Sequence, residues 1–224
     1  QTDEAYLEAL QGESFPGPRE LGILFSPLHG VAASSVVPLL LSVGFKQVEV
    51  YPPHASQDGD FPNVPDHVAN PENTAVFDAL VEHAKESGQE IVLVTDPDGD
   101  RMGCAAPLTL EGGSPWQVFN GNQLCALLAD FVLEKRSQAG HLDAHHYIIK
   151  TLVTTELMRR IADSYGVRTC GQLLVGFKWI GGTIDDQGPE HFVYGSEESH
   201  GFLVGTHARD KDGSVACMLM AELA

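Results

Sequence analysis

The chain is poor in basic side chains. Its 224 residues include 13 Lys and Arg against 31 Asp and Glu, which gives a formal charge of −18. A field of that sign repels nucleic acid and anionic membrane surfaces, so we expect neither as a partner. An anionic substrate would need a local basic pocket, and the position of each Lys and Arg is therefore informative.

The sequence also lacks paired cysteines, long apolar runs and a leader-like start. Its four cysteines form no CxxC pair and no metal-ligand spacing. No run approaches the roughly 20 apolar residues of a membrane helix, and the first residues lack the basic and apolar regions of a signal peptide. We therefore predict idle thiols, no membrane span and a cytoplasmic location.

What the chain does contain is an alternation of short apolar strands and helical patterns. Strands are predicted at 21–25, 47–51, 91–95, 147–149 and 192–194, and helices at 2–10, 32–43, 70–87, 121–136, 154–165 and after residue 176. Asn70-Pro71-Glu72 offers a cap residue, a proline and an early acid for one helix start, and Gly88 marks its end.

This βαβ rhythm restarts after a Gly/Pro/Ser-rich stretch at 107–115. The restart predicts two α/β domains, over residues 1–110 and 111–224. Because helical patterns run into both chain ends, we also expect a fragment of a longer polypeptide.

One loop carries most of the chemical information. Asp96-Pro97-Asp98-Gly99-Asp100-Arg101 follows directly on the apolar strand at 91–95. Three carboxylates at every second position suit a hard cation such as Mg²⁺. The planar guanidinium of Arg101 can hold a phosphate beside that cation. The loop therefore predicts metal binding by its three aspartates and phosphoryl chemistry.

Other interpretations of this loop are an ordinary turn, an EF-hand, a phosphatase and a non-catalytic sugar- or metal-binding module. The EF-hand fails because its sixth and twelfth positions would be Arg101 and Pro107. A phosphatase with Asp96 as nucleophile would ordinarily have Thr or Val two residues beyond Asp98, where this chain has Asp100. Asp100 counts against the phosphatase, which stays open as an alternative together with the turn and the binding module.

A second unusual loop runs Gly195-Ser196-Glu197-Glu198-Ser199-His200-Gly201. It follows a predicted strand, at the carboxyl end where α/β folds gather their ligand sites. Two acids, two hydroxyls and an imidazole lie between glycines, so the loop can accept hydrogen bonds from several hydroxyls at once. This composition predicts sugar recognition, with a polar surface turn as the alternative.

Six segments in order resemble those of the α-D-phosphohexomutases, the phosphoglucomutase and phosphomannomutase superfamily. The segments are SPLHGV at 26–31, DPDGDR at 96–101, KTLVTT at 150–155, VGFKWIG at 175–181, GSEESHG at 195–201 and RDKDG at 209–213. The resemblance implies two consecutive α/β domains with mixed sheets flanked by helices. These would be the middle two of the family's four domains.

The resemblance also implies roles for particular residues. Asp96, Asp98 and Asp100 would hold Mg²⁺, with a phosphoserine oxygen as the remaining ligand. Residues that would take part in the chemistry are Arg101, Lys150 and Lys211. Residues that would bind the sugar phosphate are Gly176, Phe177, Lys178, Glu197, Glu198, Ser199, His200 and Arg209.

The implied reaction interconverts sugar 1-phosphates and 6-phosphates through a phosphoserine and a bisphosphate. Glucose or mannose phosphates are the expected substrates, and a phosphopentomutase is the near alternative. The chain departs from the family pattern because it has no T-A-S-H-N-P-like serine segment and no R-x-S-G-T-like phosphate segment. We therefore predict an inactive fragment that lacks the N- and C-terminal domains of the same polypeptide.

Overall fold

The computed structural model describes residues 2–109 and 112–224. Within these ranges the chain forms seven α-helices, nine β-strands and four short 3-10 helices. The α-helices are α1 Thr2–Gln11, α2 Ala33–Ser42, α3 Asp78–Ser87, α4 Gly121–Gln138, α5 Leu157–Ser164, α6 Phe177–Gln187 and α7 Gly213–Leu223. The strands are β1 Gly22–Ser26, β2 Gln47–Val50, β3 Ile91–Thr95, β4 Met102–Pro107, β5 Trp116–Val118, β6 Tyr147–Thr151, β7 Arg168–Leu173, β8 Phe192–Glu197 and β9 Gly201–Leu203.

The strands form two mixed sheets. The first has the order β2-β1-β3-β4-β5, in which β1 runs parallel to β2 and β3 while β4 and β5 are antiparallel. The second has the order β7-β6-β8-β9, with β9 antiparallel to β8. The predicted fold class of two α/β units with mixed sheets is confirmed. Every residue of β1, β3, β6 and β8 is buried, as is typical of central parallel strands covered on both faces.

The two sheets share one plan. In each, the chain leaves a central strand that has a parallel neighbour, makes a short loop and returns beside it as an antiparallel strand. We call residues 91–107, which comprise β3, its loop and β4, the aspartate hairpin. Residues 192–203, which comprise β8, its loop and β9, are the glutamate hairpin.

Helix α7 ties the two sheets together. It packs against helix α2 and strand β4 on the side of the first sheet, and against helix α4 and strand β9 on the side of the second. Val215, Met218 and Leu219 are almost completely buried there, which stabilises the fold by about 1.5–3 kcal/mol for each side chain. A hydrogen bond of 2.9 Å between the hydroxyls of Ser35 and Ser214 joins α2 to the start of α7. Both halves therefore share one core.

The division at residue 110 stays a prediction. Strand β5 lies after that point in the chain and still pairs with β4 of the first sheet, where Val118 faces Ala105.

One predicted helix start was wrong. The side chain of Asn70 accepts a hydrogen bond from the Glu72 amide at 2.9 Å, which forms a local turn in place of a helix cap. The Asn73 side chain caps a 3-10 helix instead, and α3 begins only at Asp78. The helix ends as predicted, because Gly88 adopts a left-handed conformation with φ of +74°.

Within the ranges that the structure describes, no helix combines the length and the apolar character needed to span a membrane.

Candidate active site

The aspartate hairpin gathers three carboxylates at the end of β3. The Gly99 amide donates to the Asp96 carbonyl at 3.0 Å, and the φ of +77° at Gly99 allows this tight turn. Asp96, Asp98 and Asp100 each offer one carboxylate oxygen, and these oxygens lie within 4.8 Å of one another. An all-oxygen donor set of this size fits a hard divalent cation such as Mg²⁺.

Two cationic side chains offset the charge of these aspartates. The Nε of Arg101 donates to Asp96 Oδ2 at 2.6 Å, and its amide donates to Oδ1 at 3.0 Å. The Nζ of Lys211 lies 2.9 Å from Asp100 Oδ2. Burial raises the pKa of Asp100, the Lys211 hydrogen bond opposes that shift, and the charge of Asp96 adds to it. Three carboxylates against two cationic side chains leave the ionised cluster with an excess of negative charge.

The segment at 26–31 supports this loop from behind. The Val31 amide donates to the Pro97 carbonyl at 2.9 Å. A Cβ added at Gly30 would overlap the backbone of Pro97, so only glycine allows this close approach. His29 lies in the same segment, and its Nδ1–H donates to the Ser56 carbonyl at 2.7 Å.

The glutamate hairpin holds its two acids with neutral donors. Glu197 is buried and accepts a hydrogen bond of 2.6 Å from the Gly176 amide, and burial raises its pKa. Glu198 accepts from the hydroxyls of Thr154 at 2.7 Å and Thr151 at 3.2 Å. Within the described residues neither acid forms an ion pair with a Lys or Arg side chain, although the charge of Lys211 partly opposes the rise in the pKa of Glu197.

A cavity of about 320 Å³ opens beside this second hairpin. Its wall includes Glu198, His200 and Glu72, together with the start of α4 at Gly121. A larger cavity of about 920 Å³ lies beside Ile91 at the amino end of β3, away from the carboxylates. Two of the predicted site residues, Glu198 and His200, line the smaller cavity.

The two hairpins meet through the backbone. Arg101 and Gly201 form an isolated antiparallel bridge, and the Met102 amide donates to the His200 carbonyl at 3.0 Å. His200 is buried at this junction, and burial lowers its pKa. Lys211 crosses it, since a Cβ added at Gly201 would lie 2.5 Å from Lys211 Cδ. The aspartate hairpin and the glutamate hairpin are therefore in direct contact.

The structure brings most of the predicted residues to this junction. Phe177 begins α6 with its ring centroid 5.7 Å from Lys211 Nζ. Gly176 has a φ of +117°, and its amide donates a hydrogen bond to Glu197 Oε1 at 2.6 Å. Ser199 is half-buried in the loop of the glutamate hairpin, between Glu198 and His200.

Three predicted residues have their polar groups engaged elsewhere. Lys150 is completely buried, and its Nζ donates to the Thr154 carbonyl at 2.8 Å and pairs with Glu156 at 2.7 Å. Arg209 donates to Asp185 at 2.7 Å. Lys178 is exposed, with Nζ 5.4 Å from the Trp179 ring centroid. The roles implied for these three residues stay predictions.

Sequence reasoning missed the residues that hold Arg101. Its Nη1 lies 3.2 Å from Glu72 Oε1 and 3.4 Å from Asn70 Oδ1. Hydrogen bonding to Asp96 and the charges of Asp96 and Glu72 outweigh burial and raise the pKa of Arg101. The sequence did single out Asn70 and Glu72, but their positions on either side of Pro71 indicated the start of a helix instead of contacts with Arg101.

Sequence reasoning also gave Thr154 and Asp212 no role. Thr154 orients Glu198. Asp212 caps α7 by accepting from the amides of Ser214 at 2.8 Å and Val215 at 3.1 Å, which fixes the neighbouring Lys211.

Family comparisons agree with this architecture. A family model for phosphoglucomutase/phosphomannomutase, alpha/beta/alpha domain II, matches residues 4–109, and the model for domain III of the same group matches residues 120–224. A phosphomannomutase of Mycoplasmoides pirum is 32% identical over 206 residues, which are 92% of this chain and 36% of the relative. A phosphoglucomutase of Staphylococcus aureus (strain N315) is 34% identical over 196 residues, 86% of this chain and 33% of the relative.

Solved structures show the same fold. A phosphomannomutase structure from Thermus thermophilus superimposes with a TM-score of 0.74 at 25% identity, over 100% of this chain and 47% of that one. A family protein from Burkholderia thailandensis gives 0.75 at 20% identity, over 100% and 43%. The chain spans about a third of the length of the curated relatives it matches.

Proposed function

The chain belongs to the phosphoglucomutase/phosphomannomutase family, and we propose that it is the central part of a Mg²⁺-dependent mutase that interconverts sugar 1-phosphates and 6-phosphates. The observation that supports this most strongly is the bridge between Arg101 and Gly201. It brings the loop with Asp96, Asp98 and Asp100, which would bind the cation, beside the loop with Glu198 and Ser199, which would bind sugar hydroxyls. Phosphoryl transfer to a sugar hydroxyl requires both in one place.

Asp96, Asp98 and Asp100 would hold the Mg²⁺. When bound, the cation would supply charge neutralisation for a phosphoryl group in transfer. Arg101 contributes a guanidinium that Asp96 and Glu72 already hold in a defined orientation. Such fixed donors stabilise a phosphoryl transition state without reorganisation.

Lys211 is placed to contact the reacting hydroxyl or the sugar ring. Its ammonium group lies between Asp100 and the ring of Phe177. Burial lowers the pKa of Lys211, but the hydrogen bonds that its ammonium group donates to Asp100 and Asp210 outweigh this effect and raise that pKa. Lys211 therefore stays protonated at neutral pH and can donate a hydrogen bond or a proton.

The sugar would bind at the glutamate hairpin. Glu198 and Ser199 are partly exposed there, and Glu198 lines the cavity, so a carboxylate and a hydroxyl can accept hydrogen bonds from sugar hydroxyls. Thr151 and Thr154 keep Glu198 in place. Because acceptors of this kind bind hydroxyls of either sugar end, they support a bisphosphate intermediate in two orientations.

The remaining groups would come from other domains of the same polypeptide. An N-terminal domain would supply the phosphoserine, and a C-terminal domain would bind the distal phosphate. We therefore propose that this chain alone has no mutase activity and weak affinity for Mg²⁺ and for glucose or mannose phosphates. A cytoplasmic location stays a prediction.

A coupled assay tests this proposal. The parent polypeptide, supplied with Mg²⁺ and a trace of glucose 1,6-bisphosphate, should convert glucose 1-phosphate to glucose 6-phosphate, and the 224-residue chain should not. A serine in a T-A-S-H-N-P-like segment should precede Gln1 in the parent. Turnover by the chain alone would contradict the division of labour, and an inactive parent without that serine would contradict the mutase assignment.

A further inference from the structure

A second group of chemically active side chains lies at the opposite end of the second sheet. The loop before β6 contains His145 and His146, and the 3-10 helix Pro189–His191 precedes β8. Since β6 and β8 are parallel neighbours, their amino ends meet at one edge. The five residues of β6 separate this edge from the candidate active site by about 13 Å.

The ring of His191 lies near two other imidazole rings at this edge. The ring centroids of His145 and His191 are 5.7 Å apart, and those of His146 and His191 are 5.8 Å apart. Two imidazoles that bind one tetrahedral cation at nitrogen distances of about 2.0–2.1 Å have centroids about 5 Å apart. The observed spacing is close to that value.

Asp143 holds one of the rings. The Nδ1 of His146 lies 2.9 Å from Asp143 Oδ1 and 3.1 Å from the Asp143 amide nitrogen. With its proton on Nδ1 the His146 ring donates to Asp143 Oδ1, and Nε2 then carries the free lone pair and makes no hydrogen bond within residues 2–109 and 112–224. A carboxylate beside one nitrogen of a histidine is the arrangement that orients the other nitrogen toward a metal.

We infer that His145, His146 and His191 form a binding site for a borderline d-block divalent cation such as Zn²⁺ or Ni²⁺. Imidazole ligands favour these ions, whereas the all-carboxylate cluster of the aspartate hairpin favours Mg²⁺. Among the described residues the aspartate cluster alone has three ligating atoms within 4.8 Å, so binding here requires the histidine rings to turn. A bound ion would join the loop before β6 to the helix before β8.

The site is open to solvent ions. The side chain of His191 is 38% exposed and that of His146 is 17% exposed. Neither ring fills a core position, so replacing it by glutamine leaves the packing of the sheet intact.

Isothermal titration of the chain with Zn²⁺, in excess Mg²⁺ that occupies the carboxylate cluster, tests the inference. We expect one equivalent of Zn²⁺ to bind, and His191→Gln and His145→Gln each to weaken that binding by at least about tenfold. His67→Gln, an exposed histidine in the first half of the chain, serves as the matched control and should bind as the unaltered chain does. Circular dichroism verifies that each variant is folded.

Two outcomes would overturn the site. One is the absence of saturable Zn²⁺ binding by the unaltered chain. The other is binding that survives His191→Gln but disappears in Asp98→Asn, which would place the ion in the aspartate hairpin. Neither outcome bears on the mutase proposal, because the experiment measures no turnover and the histidines lie at the other end of the sheet.

Discussion

The aspartate hairpin and the glutamate hairpin occupy equivalent places in their sheets but hold their acids with different partners. In the first, three carboxylates converge within 4.8 Å and have Arg101 and Lys211 as counter-charges. In the second, Glu197 and Glu198 accept hydrogen bonds from an amide and two hydroxyls. The partners of the acids, more than their number, therefore distinguish the proposed cation site from the proposed sugar site.

The two hairpins also share a structural device. Each is pressed against a glycine from a distant part of the chain, Gly30 behind Pro97 and Gly121 behind the carbonyl of Glu198. A Cβ at either glycine would overlap the hairpin backbone. Close backbone packing therefore sets the position of each loop. An alanine at one of these glycines should displace one hairpin and leave the other in place.

The largest effect should follow from removing the counter-charge of the aspartate hairpin. Arg101→Ala leaves the carboxylate of Asp96, only 2% exposed, without its ion-pair partner. We expect a loss of about 3 kcal/mol in the free energy of unfolding, measured by urea denaturation in Mg²⁺-free buffer. Arg209→Ala, which breaks a more exposed pair with Asp185, should cost less than about 1 kcal/mol. Equal losses for the two variants would show that Asp96 is not a buried charge.

The next effect concerns the support of the glutamate hairpin. Gly121→Ala forces the backbone at Glu198 to move, and we expect a loss of about 2 kcal/mol in stability. Gly182→Ala in α6, where an added Cβ meets nothing within 4 Å, should instead stabilise the chain by about 0.5–1 kcal/mol. Thermal unfolding of both variants measures the difference, and a neutral Gly121→Ala would mean that this contact is loose.

A third prediction separates the two hairpins by their ligands. Asp98→Asn removes an exposed carboxylate of the cluster, so Mn²⁺ affinity in electron paramagnetic resonance titrations should fall at least about tenfold, or about 1.4 kcal/mol. Glu198→Gln should leave Mn²⁺ affinity unchanged, because Glu198 lies in the other hairpin. A loss of Mn²⁺ binding in Glu198→Gln would contradict the assignment of separate ligands.

The smallest effect is a pH dependence on the aspartate side. Buried His54 accepts from the Ser26 hydroxyl at 2.8 Å and donates to the Asn63 carbonyl at 3.0 Å, and burial lowers its pKa. The unfolded chain therefore binds a proton more readily, so the stability from neutral His54 is present above about pH 6.5 and is lost as pH falls below it. The melting temperature should fall between about pH 7.5 and 5.5, and by less in His54→Gln. His67→Gln is the control and should keep the full decrease.

Much of this site could be predicted from the sequence because its chemistry is local. The spacing of Asp96, Asp98 and Asp100 after an apolar strand indicated a cation loop, and the composition of 195–201 indicated a sugar loop. Both depend on neighbouring residues and on the place where parallel strands end. The order of the shorter segments then indicated the family.

What the sequence could not show depends on contacts between distant residues. The bridge from Arg101 to Gly201 joins positions in different sheets. The resemblance placed Lys150 near a phosphate, yet Glu156 and backbone carbonyls satisfy its ammonium group inside the protein, where lysine is rarely found without such partners. Strand β4 was missed because its run of small residues, from Gly103 to Ala106, has weak strand propensity.

The most direct test of the account asks whether the two hairpins form one site. Mn²⁺ added to the ¹⁵N-labelled chain should broaden the amide resonances of Asp98, Gly99 and Asp100 most strongly. Broadening should extend to Gly201, which pairs with Arg101 across the bridge, and should not reach Tyr147 at the far end of the second sheet. Broadening of the aspartate loop that leaves Gly201 unaffected, or no broadening of that loop at all, would contradict a shared site.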